Sequence, residues 1–363
     1  MTNPFVFIVG CQRSGTTLLQ HIVDIHPQVA VMPEPGWFGT WHGTGLTPEG
    51  YVTPDLIPML LRTCKNIDLG IGPEELYEMV GRGNKVLYAS FASAIFDRYG
   101  KARGKSLVGS KNPDYLRHLN TLHHLWPQAK FVHIIRDGRD VCLCASARWK
   151  SRRDFRGFPF LLYEKPDQVF DDWSEDPVIT TAKWWEWNVR LGREFGRSLN
   201  PGMYYEIRYE ALVTHPKAEC IALCKFLGIP FDSAMLRHQK NFKPRRGPGR
   251  SVFNARVGLP ITPGLRNWRS ELVPEELERF EAAAGPFLEE LGYSRGTERV
   301  QAESLEQAAR VSGLFEERVR GYLNRGRFSP ASVGTSRGED DVARAVARQQ
   351  WPPTGTAAEG VNE

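Results

Sequence analysis

The sequence lacks the features that would place the chain in or across a membrane. No stretch of the 363 residues approaches the ~20 consecutive apolar residues that a membrane-spanning helix needs. A strand-like run begins at Phe5, and no charged segment followed by an apolar segment precedes it, so no signal peptide is predicted. These absences predict a soluble protein of the cytoplasm.

Cysteine is scarce, and its spacing does not suit a metal site. The chain has 6 cysteines, none of which forms a Cys-x-x-Cys pair, and no histidine pair completes a zinc set. We therefore expect buried, reduced thiols and no bound metal. Neither sign of charge dominates, because 47 basic residues face 42 acidic ones. This balance suits a small anionic ligand and does not predict binding of nucleic acid.

Strand-like runs alternate with helical patterns along most of the chain. The strand-like runs cover residues 5–9, 28–32, 106–108, 130–135 and 203–207. The helical patterns cover residues 16–25, 73–99, 115–125, 140–149, 179–195, 216–227 and 274–291. This alternation predicts an α/β fold, a P-loop-like parallel sheet of about five strands flanked by helices on both faces. Ligands of such sheets bind beyond the carboxyl ends of the strands.

Composition divides the chain into three parts. Residues 1–297 are predicted to form one domain, and residues 298–326 a helical extension. Residues 327–363 are rich in Gly, Ser, Ala, Pro and charge, which predicts a disordered tail. Residues 151–177 and 243–264 are irregular stretches long enough to be binding loops or lids.

The glycine turn after the first strand is the most informative segment. Gly10 and Gly15 have the spacing of the phosphate loop GxxxxGK[ST], in which backbone N–H groups and a helix N-terminus bind an anion. Thr16 stands where that loop requires Lys, and the basic residue of the loop is Arg13. The absence of this Lys disfavours ATP or GTP chemistry. A kinase or nucleotide hydrolase with an altered loop is nevertheless the alternative enzyme. A glycine turn before a Thr-capped helix is the purely structural alternative.

A basic motif follows the fourth strand-like run. Residues 130–141 read KFVHIIRDGRDV, a strand that ends near Arg136 and leads into a helix. A planar guanidinium in this position suits a bidentate contact with a phosphate. Arg139 and Asp140 are expected to form ion pairs at the start of the helix rather than ligand contacts.

Together the two motifs resemble those of sulfotransferases, which use 3′-phosphoadenosine 5′-phosphosulfate (PAPS) as the sulfuryl donor. The segment QRSGTTLL resembles their 5′-phosphosulfate loop, and the strand end at Arg136 resembles their 3′-phosphate motif. The resemblance extends from about residue 5 to about residue 293. It implies PAPS as co-substrate, no metal, and donor contacts from Arg13, Ser14, Gly15, Thr16 and Thr17.

The resemblance implies catalytic roles for Arg13 and Lys111. Lys111 lies in the segment GSKNP after the third strand. In sulfotransferases, a Lys in this place contacts the oxygen that bridges phosphate and sulfate. Enzymes of the family that act on small molecules have Lys-x-His here, and the His is their base. Pro113 replaces that His, so the base must come from elsewhere, and a plain surface lysine is the competing interpretation of Lys111.

Glu34 is the best replacement for the missing base. It follows His26-Pro27 and the second strand at the offset from the anion loop that the catalytic Glu has in tyrosylprotein sulfotransferases. A carboxylate at the end of a parallel strand is expected to point into the crevice where ligands bind. An exposed loop acid between two prolines is the competing interpretation, and His123 and His124 are the alternative bases.

Two further donor contacts are implied near the middle of the chain. Cys144 stands eight residues after Arg136, where the family commonly has a Ser that contacts the 3′-phosphate. Cysteine is a weak donor, so this contact departs from the family pattern. Tyr209 matches the Tyr of the family's Tyr-Glu-x-Leu segment, which lies beside the adenosine.

The late part of the chain implies two more donor contacts. Ser251 stands seventeen residues before Trp268, as a donor-site Ser does in tyrosylprotein sulfotransferases. A basic residue before this Trp meets the 3′-phosphate in the family, but Asn267 occupies the adjacent position. Arg266 is therefore predicted to take this role, with Arg269 as the alternative.

The sequence thus predicts transfer of a sulfuryl group from PAPS to an acceptor hydroxyl of a small molecule, glycan, lipid or peptide. No readable pattern identifies the acceptor. A non-catalytic nucleotide-binding protein with the same fold is the alternative from another functional class.

Overall fold

The fold was examined in a computed structural model of the chain. It describes residues 4–35, 45–65, 67–81, 83, 85–151, 175–241 and 255–324. The predicted fold class is confirmed, because the core of the protein is a five-stranded parallel sheet with helices around it. Residues 152–174, 242–254 and 325–363, which include most of both predicted lids and the predicted tail, lie outside the described residues.

The sheet is built from strands that agree with the predicted runs to within about three residues. They are β1 (Val6–Val9), β2 (Val29–Pro33), β3 (Leu107–Lys111), β4 (Lys130–Ile135) and β5 (Tyr204–Arg208). Their order across the sheet is β2-β3-β1-β4-β5, and every adjacent pair is parallel. The central strand β1 is apolar and buried at every position, as expected where both faces of a parallel sheet are covered.

The helices largely follow the predicted patterns. Within the described residues, the α-helices are α1 (Thr16–Asp24), α2 (Leu56–Thr63), α3 (Pro73–Val80), α4 (Tyr88–Lys101), α5 (Leu119–Leu125), α6 (Gly138–Ser151), α7 (Pro177–Ser198), α8 (Tyr209–Thr214), α9 (Pro216–Leu227), α10 (Trp268–Glu271), α11 (Pro274–Glu290) and α12 (Ala302–Asn324).

The single helix predicted over residues 73–99 is wrong, because α3 and α4 are separate. Gly81 ends α3 in an extended conformation, and Gly83 has a left-handed backbone with φ of 77°. Leu87 then forms an isolated bridge with Tyr51 before α4 begins. Glycine adopts the left-handed conformation of Gly83 at low cost, so the chain turns here instead of continuing the helix.

The crevice of the sheet opens between β1 and β4. From β1 the chain crosses to β2 on one side of the sheet, whereas from β4 it continues to β5 on the other side. Such a change of direction between neighbouring parallel strands is where α/β sheets bind ligands. Val9 lies opposite His133, so the segments that follow β1 and β4 leave the sheet side by side.

Helices on the two faces of the sheet enclose separate apolar clusters. Phe7 and Val9 face one cluster, and Val6 and Ile8 face the other. A third cluster joins α6, α7 and α11, and Phe315 of α12 packs into it. The C-terminal helix therefore shares apolar core with the sheet domain.

Two expectations about composition can be compared with the described residues. All 6 cysteines are buried and free of disulfide bonds, as predicted. None of the helices in the described ranges has the length and apolar character required to span a bilayer.

His133 should make the folded state sensitive to acid. The ring is fully buried in β4, with Nδ1 2.6 Å from the Tyr204 hydroxyl. Burial, followed by the nearby Arg193 and Arg208, lowers the pKa of His133 to about 3. The unfolded chain therefore binds a proton below about pH 6.5 that the folded protein excludes, and stability falls as the pH drops from 6.5 towards 3.

We predict that the His133→Gln variant loses less stability than the wild type when the pH falls from 7.5 to 5. The difference should reach about 2 kcal/mol, since each pH unit below 6.5 contributes about 1.4 kcal/mol. Urea unfolding at the two pH values measures it. The exposed His215 provides the matched control in His215→Gln. Equal pH dependence in wild type and His133→Gln would contradict a neutral, buried imidazole.

Candidate active site

The segment between β1 and α1 has the geometry of an anion cradle. The Ser14 N–H donates to the Cys11 carbonyl (3.1 Å), which closes a turn. Gly15 precedes α1 with φ of 95°, and no side chain caps the first N–H groups of the helix. The Ser14 hydroxyl is buried and has no hydrogen-bond partner within the described ranges. These unsatisfied donors at a helix N-terminus suit an anionic ligand.

Close approach of the backbone explains both glycines of this loop. A Cβ at Gly10 would lie 2.6 Å from the carbonyl oxygen of Ile134 in β4. A Cβ at Gly15 would lie 2.5 Å from the ring of Tyr209. The glycine spacing seen in the sequence therefore reflects packing of the loop against β4 and α8 as well as the anion cradle.

Glu34 and Lys111 meet because β2 and β3 are neighbours. Pro33, the last residue of β2, lies opposite Lys111, the last residue of β3. The Glu34 N–H then donates to the Lys111 carbonyl (2.7 Å), and the two side chains form an ion pair. The Lys111 ammonium also donates to the Thr17 hydroxyl of the anion loop (3.3 Å). The Lys111 side chain is 2% exposed and that of Glu34 is 49% exposed.

Arg13 and Glu34 share an uncommon backbone conformation. Their φ angles are 73° and 44°, and they are the non-glycine residues with positive φ in the described part of the chain. A left-handed conformation costs roughly 1–2 kcal/mol for a residue with a Cβ. Such strained residues cluster at functional sites, because surrounding structure must hold them in place. The two strained residues are two of the three catalytic candidates.

Arg136 links the basic motif at the end of β4 to the anion loop. Its Nη1 donates to the carbonyl of Arg13 (3.5 Å) and lies 3.9 Å from the Cys144 sulfur. Its guanidinium stacks 4.2 Å from the centre of the Tyr209 ring. The Nε of Arg136 is buried and has no hydrogen-bond partner among the residues described. The structure thus brings Arg13, Arg136, Cys144 and Tyr209 together, and their contacts with a donor stay predictions.

Asp140 connects Arg136 to the late part of the chain. One carboxylate oxygen accepts from Nη2 of Arg136 (3.2 Å), and the other accepts from the backbone N–H of Trp268 (2.9 Å). Burial raises the pKa of the Asp140 carboxyl, and the Arg136 guanidinium opposes the rise. The segment around Trp268 therefore lies beside the start of α6, although 128 residues separate the two in sequence.

Arg139 forms the ion pairs that the sequence predicts at the start of α6. It binds Asp137 (2.8 Å) and Glu281 of α11 (2.7 Å), and it stacks 3.7 Å from the ring centre of Trp268. Its side chain is fully enclosed by these partners. A buried cation needs such pairing, so Arg139 has a structural role that anchors α6 to α11.

Other predicted donor residues are less well placed or lie outside the described part. Ser251 is outside the described residues. The Arg266 guanidinium binds Glu271 (2.8 Å), and the ring of Trp268 stacks against Arg269 (4.4 Å). Arg269, rather than Arg266, lines a cavity of about 250 Å³ with Asp140. A contact of Arg266 with the 3′-phosphate stays a prediction.

His123 and His124, the alternative bases, lie near the amino end of β4, away from the crevice. The ring of His123 packs against Phe131 at the amino end of β4 and against Phe195 of α7. Its neighbour His124 is exposed on the same short helix. The crevice lies at the carboxyl end of β4, so the geometry disfavours both histidines as bases.

Sequence reasoning did not identify the role of Glu210. Its carboxylate accepts a hydrogen bond from the backbone N–H of Asp137 (2.8 Å), directly after Arg136. Burial raises the pKa of the Glu210 carboxyl, and the Asp137 N–H opposes the rise. The signal was present in the sequence, because Glu210 immediately follows Tyr209 in the first turn of α8.

Comparison with known proteins agrees with this geometry. The chain is 25% identical over 299 residues to protein-tyrosine sulfotransferase 1 of Danio rerio, covering 80% of this chain and 72% of that protein. It is 24% identical over 313 residues to nodulation protein NoeE of Sinorhizobium fredii, covering 81% and 67% of the two chains.

Two solved structures share the fold. The sulfotransferase domain from the curacin biosynthetic pathway superposes with a TM-score of 0.51 at 21% identity, covering 80% of this chain and 98% of that one. The sulfotransferase domain of the Synechococcus PCC 7002 olefin synthase gives 0.50 at 20% identity, covering 85% and 94%. The model of the sulfotransferase family matches residues 4–233, which is more than half of the chain. This protein therefore belongs to the sulfotransferase family of enzymes.

Proposed function

We propose that this enzyme takes PAPS as its donor and transfers the sulfuryl group to an acceptor hydroxyl by in-line displacement, with Glu34 as general base. The observation that carries the proposal is the position of the Lys111 ammonium. It contacts Thr17 of the anion loop on one side and the Glu34 carboxylate on the other. A cation placed between an anion cradle and a carboxylate is suited to a leaving oxygen and a nearby proton acceptor.

The residues present fit a nucleotide with anionic groups at both its 5′ and 3′ positions. The Ser14 hydroxyl and the Arg136 Nε are buried polar atoms without partners in the described ranges, and a bound anion would satisfy both. Ser14, Gly15, Thr16 and Thr17 would hold the 5′-phosphosulfate. Arg136, with Cys144, would hold the 3′-phosphate.

The other predicted donor contacts belong to the same proposal. Tyr209 would lie against the nucleoside, since its ring already contacts Arg136. Ser251 and Arg266 are retained as contacts of the donor on the resemblance alone. PAPS would supply a sulfuryl group that is already activated for transfer.

In the reaction, the acceptor oxygen forms a bond to sulfur while the bond from sulfur to the 5′-phosphate oxygen breaks. Glu34 takes the proton of the acceptor hydroxyl, which contributes roughly 10²–10⁴ in rate in comparable enzymes. Lys111 and Arg13 stabilise charge that grows on the leaving phosphate and the sulfuryl oxygens. These protein cations perform the charge neutralisation, and we propose that transfer needs no metal ion.

The acceptor belongs to one of four classes, the hydroxyls of small molecules, glycans, lipids or peptides. The relative from Danio rerio is named for protein tyrosine, which supports peptidyl tyrosine as one candidate. We also propose a cytoplasmic protein with a catalytic domain at residues 1–297 and a helical extension at 298–326.

We predict that the enzyme binds 3′-phosphoadenosine 5′-phosphate (PAP) at least tenfold more tightly than AMP, and equally well with and without Mg²⁺. The additional phosphate should gain a charge-assisted contact with Arg136 that AMP cannot make. Calorimetric titration with both nucleotides, with Mg²⁺ or with EDTA, measures the four affinities. Equal affinity for PAP and AMP, or strict dependence on Mg²⁺, would overturn the donor assignment.

The Gly15→Ala variant should bind PAP at least tenfold more weakly than the wild type. The added methyl group meets the Tyr209 ring at 2.5 Å, and the backbone has φ of 95°, which alanine adopts only at a cost. Gly313→Ala is the control, because a Cβ there meets nothing within 4 Å. That control should keep PAP affinity and gain up to ~1 kcal/mol in stability. Unchanged PAP affinity in folded Gly15→Ala would contradict this arrangement of the loop.

Replacing Glu34 by Gln should lower turnover by about 10²–10⁴ while PAP affinity stays within a few-fold of the wild-type value. Gln keeps the size and hydrogen bonding of the side chain but cannot accept the proton. Labelled PAPS with a screened acceptor measures turnover, and calorimetry measures PAP binding. Glu74→Gln, an exposed carboxylate of α3, is the control and should match the wild type. Substantial turnover in Glu34→Gln would assign the base to another group.

A further inference from the structure

The Tyr209 ring contacts both proposed anion subsites, which are the anion loop and the Arg136 guanidinium. Its ring lies where a Cβ of Gly15 would be, so it packs directly against the anion loop. The same ring stacks under the Arg136 guanidinium (4.2 Å). The position of Arg136 relative to the loop therefore depends on how the start of α8 is held against the end of β4.

Glu210 adds a side-chain link between these two segments, which the pairing of Ile135 with Arg208 sets side by side. One of its oxygens accepts the backbone N–H of Asp137 (2.8 Å), the residue that follows Arg136. The other oxygen accepts the Tyr293 hydroxyl (3.2 Å) beyond the end of α11. The hydrogen bond from the Asp137 N–H lies in the turn in which β4 leads into α6, and the bond from Tyr293 holds the Glu210 carboxylate in place, so together they restrain the backbone that carries Arg136.

The negative charge of Glu210 makes its position near Arg136 informative. A carboxylate beside a phosphate subsite repels the ligand, and this repulsion is strong when both groups are buried. The negative charge of Glu210 is therefore unfavourable for binding an anion. Its presence beside the subsite indicates that the carboxylate has another task. Its two accepted hydrogen bonds provide that task, because a buried N–H without an acceptor costs ~1–3 kcal/mol.

We propose that Glu210 is a positioning residue that orients Arg136 towards the 3′-phosphate and thereby sets the preference of the enzyme for a 3′-phosphorylated nucleotide. The inference rests on the proposed function, because it assumes a donor with a 3′-phosphate. It acts through hydrogen bonding and not through charge. A neutral side chain with the same acceptor geometry should therefore replace Glu210, whereas a shorter one should not.

The test compares PAP and AMP affinities in the full-length chain by calorimetry. Glu210→Ala should weaken PAP binding about tenfold, while AMP binding changes less than twofold. Glu210→Gln keeps an acceptor for the Asp137 N–H and should bind PAP within threefold of the wild type. Glu290→Ala removes a surface ion pair with Arg190 and Arg193 and is the control, with both affinities unchanged.

A second variant keeps the test decisive if Glu210→Ala does not fold. Glu210→Asp retains the charge but is too short to reach the Asp137 N–H, so the same selective loss of PAP affinity is expected. Thermal melts establish that each variant is folded. Equal losses for PAP and AMP, or no loss for either, would overturn the positioning role. A wild-type enzyme that binds PAP and AMP equally would instead overturn the proposed donor.

Discussion

The backbone register between β1 and β4 is the constraint on which the rest of the site depends. With Val9 opposite His133, the anion loop and Arg136 leave the sheet at the same level, and the Arg136 Nη1 reaches the Arg13 carbonyl. The connections from the two strands then diverge and leave a crevice between them. A slip of one residue would turn the side chains of β4 to the opposite face and separate the two basic motifs. Apolar burial on both faces holds this register.

Each buried cation of the site pairs with a carboxylate, but the number of carboxylate partners differs. Arg139 is enclosed by Asp137, Glu281 and the Trp268 ring, so its guanidinium is paired within the protein. Lys111 and Arg136 each have one carboxylate partner and lie against the anion loop. Pairing satisfies the cations in the free protein, because an unpaired buried charge is costly.

Much of the fold was predictable from the sequence, and less of the site. The strands were found because buried parallel strands are apolar runs that end in glycine or charge, as at Gly10 and Arg136. The error at residues 73–99 arose because one helical pattern was extended across Gly81 and Gly83, where the chain turns before Leu87 forms its bridge with Tyr51. The structure brings Arg13, Arg136 and Tyr209 together, and their roles as donor contacts stay predictions. His123 packs at the amino end of β4 and Arg266 pairs with Glu271, and these positions depend on tertiary packing that no sequence motif encodes.

The sequence by itself determined the strand ends, the loop without the kinase lysine and the absence of the usual imidazole at Pro113. These depend on local chemistry, on φ angles that only glycine adopts readily and on the period of apolar residues. Only the tertiary structure decided that Glu34 meets Lys111, since this contact exists because β2 pairs with β3 in parallel with Pro33 opposite Lys111. It likewise decided that the Glu210 carboxylate accepts the Asp137 N–H across the pairing of β4 with β5. Strand order is set by how the whole chain packs its apolar faces, so no local pattern encodes which strand ends become neighbours.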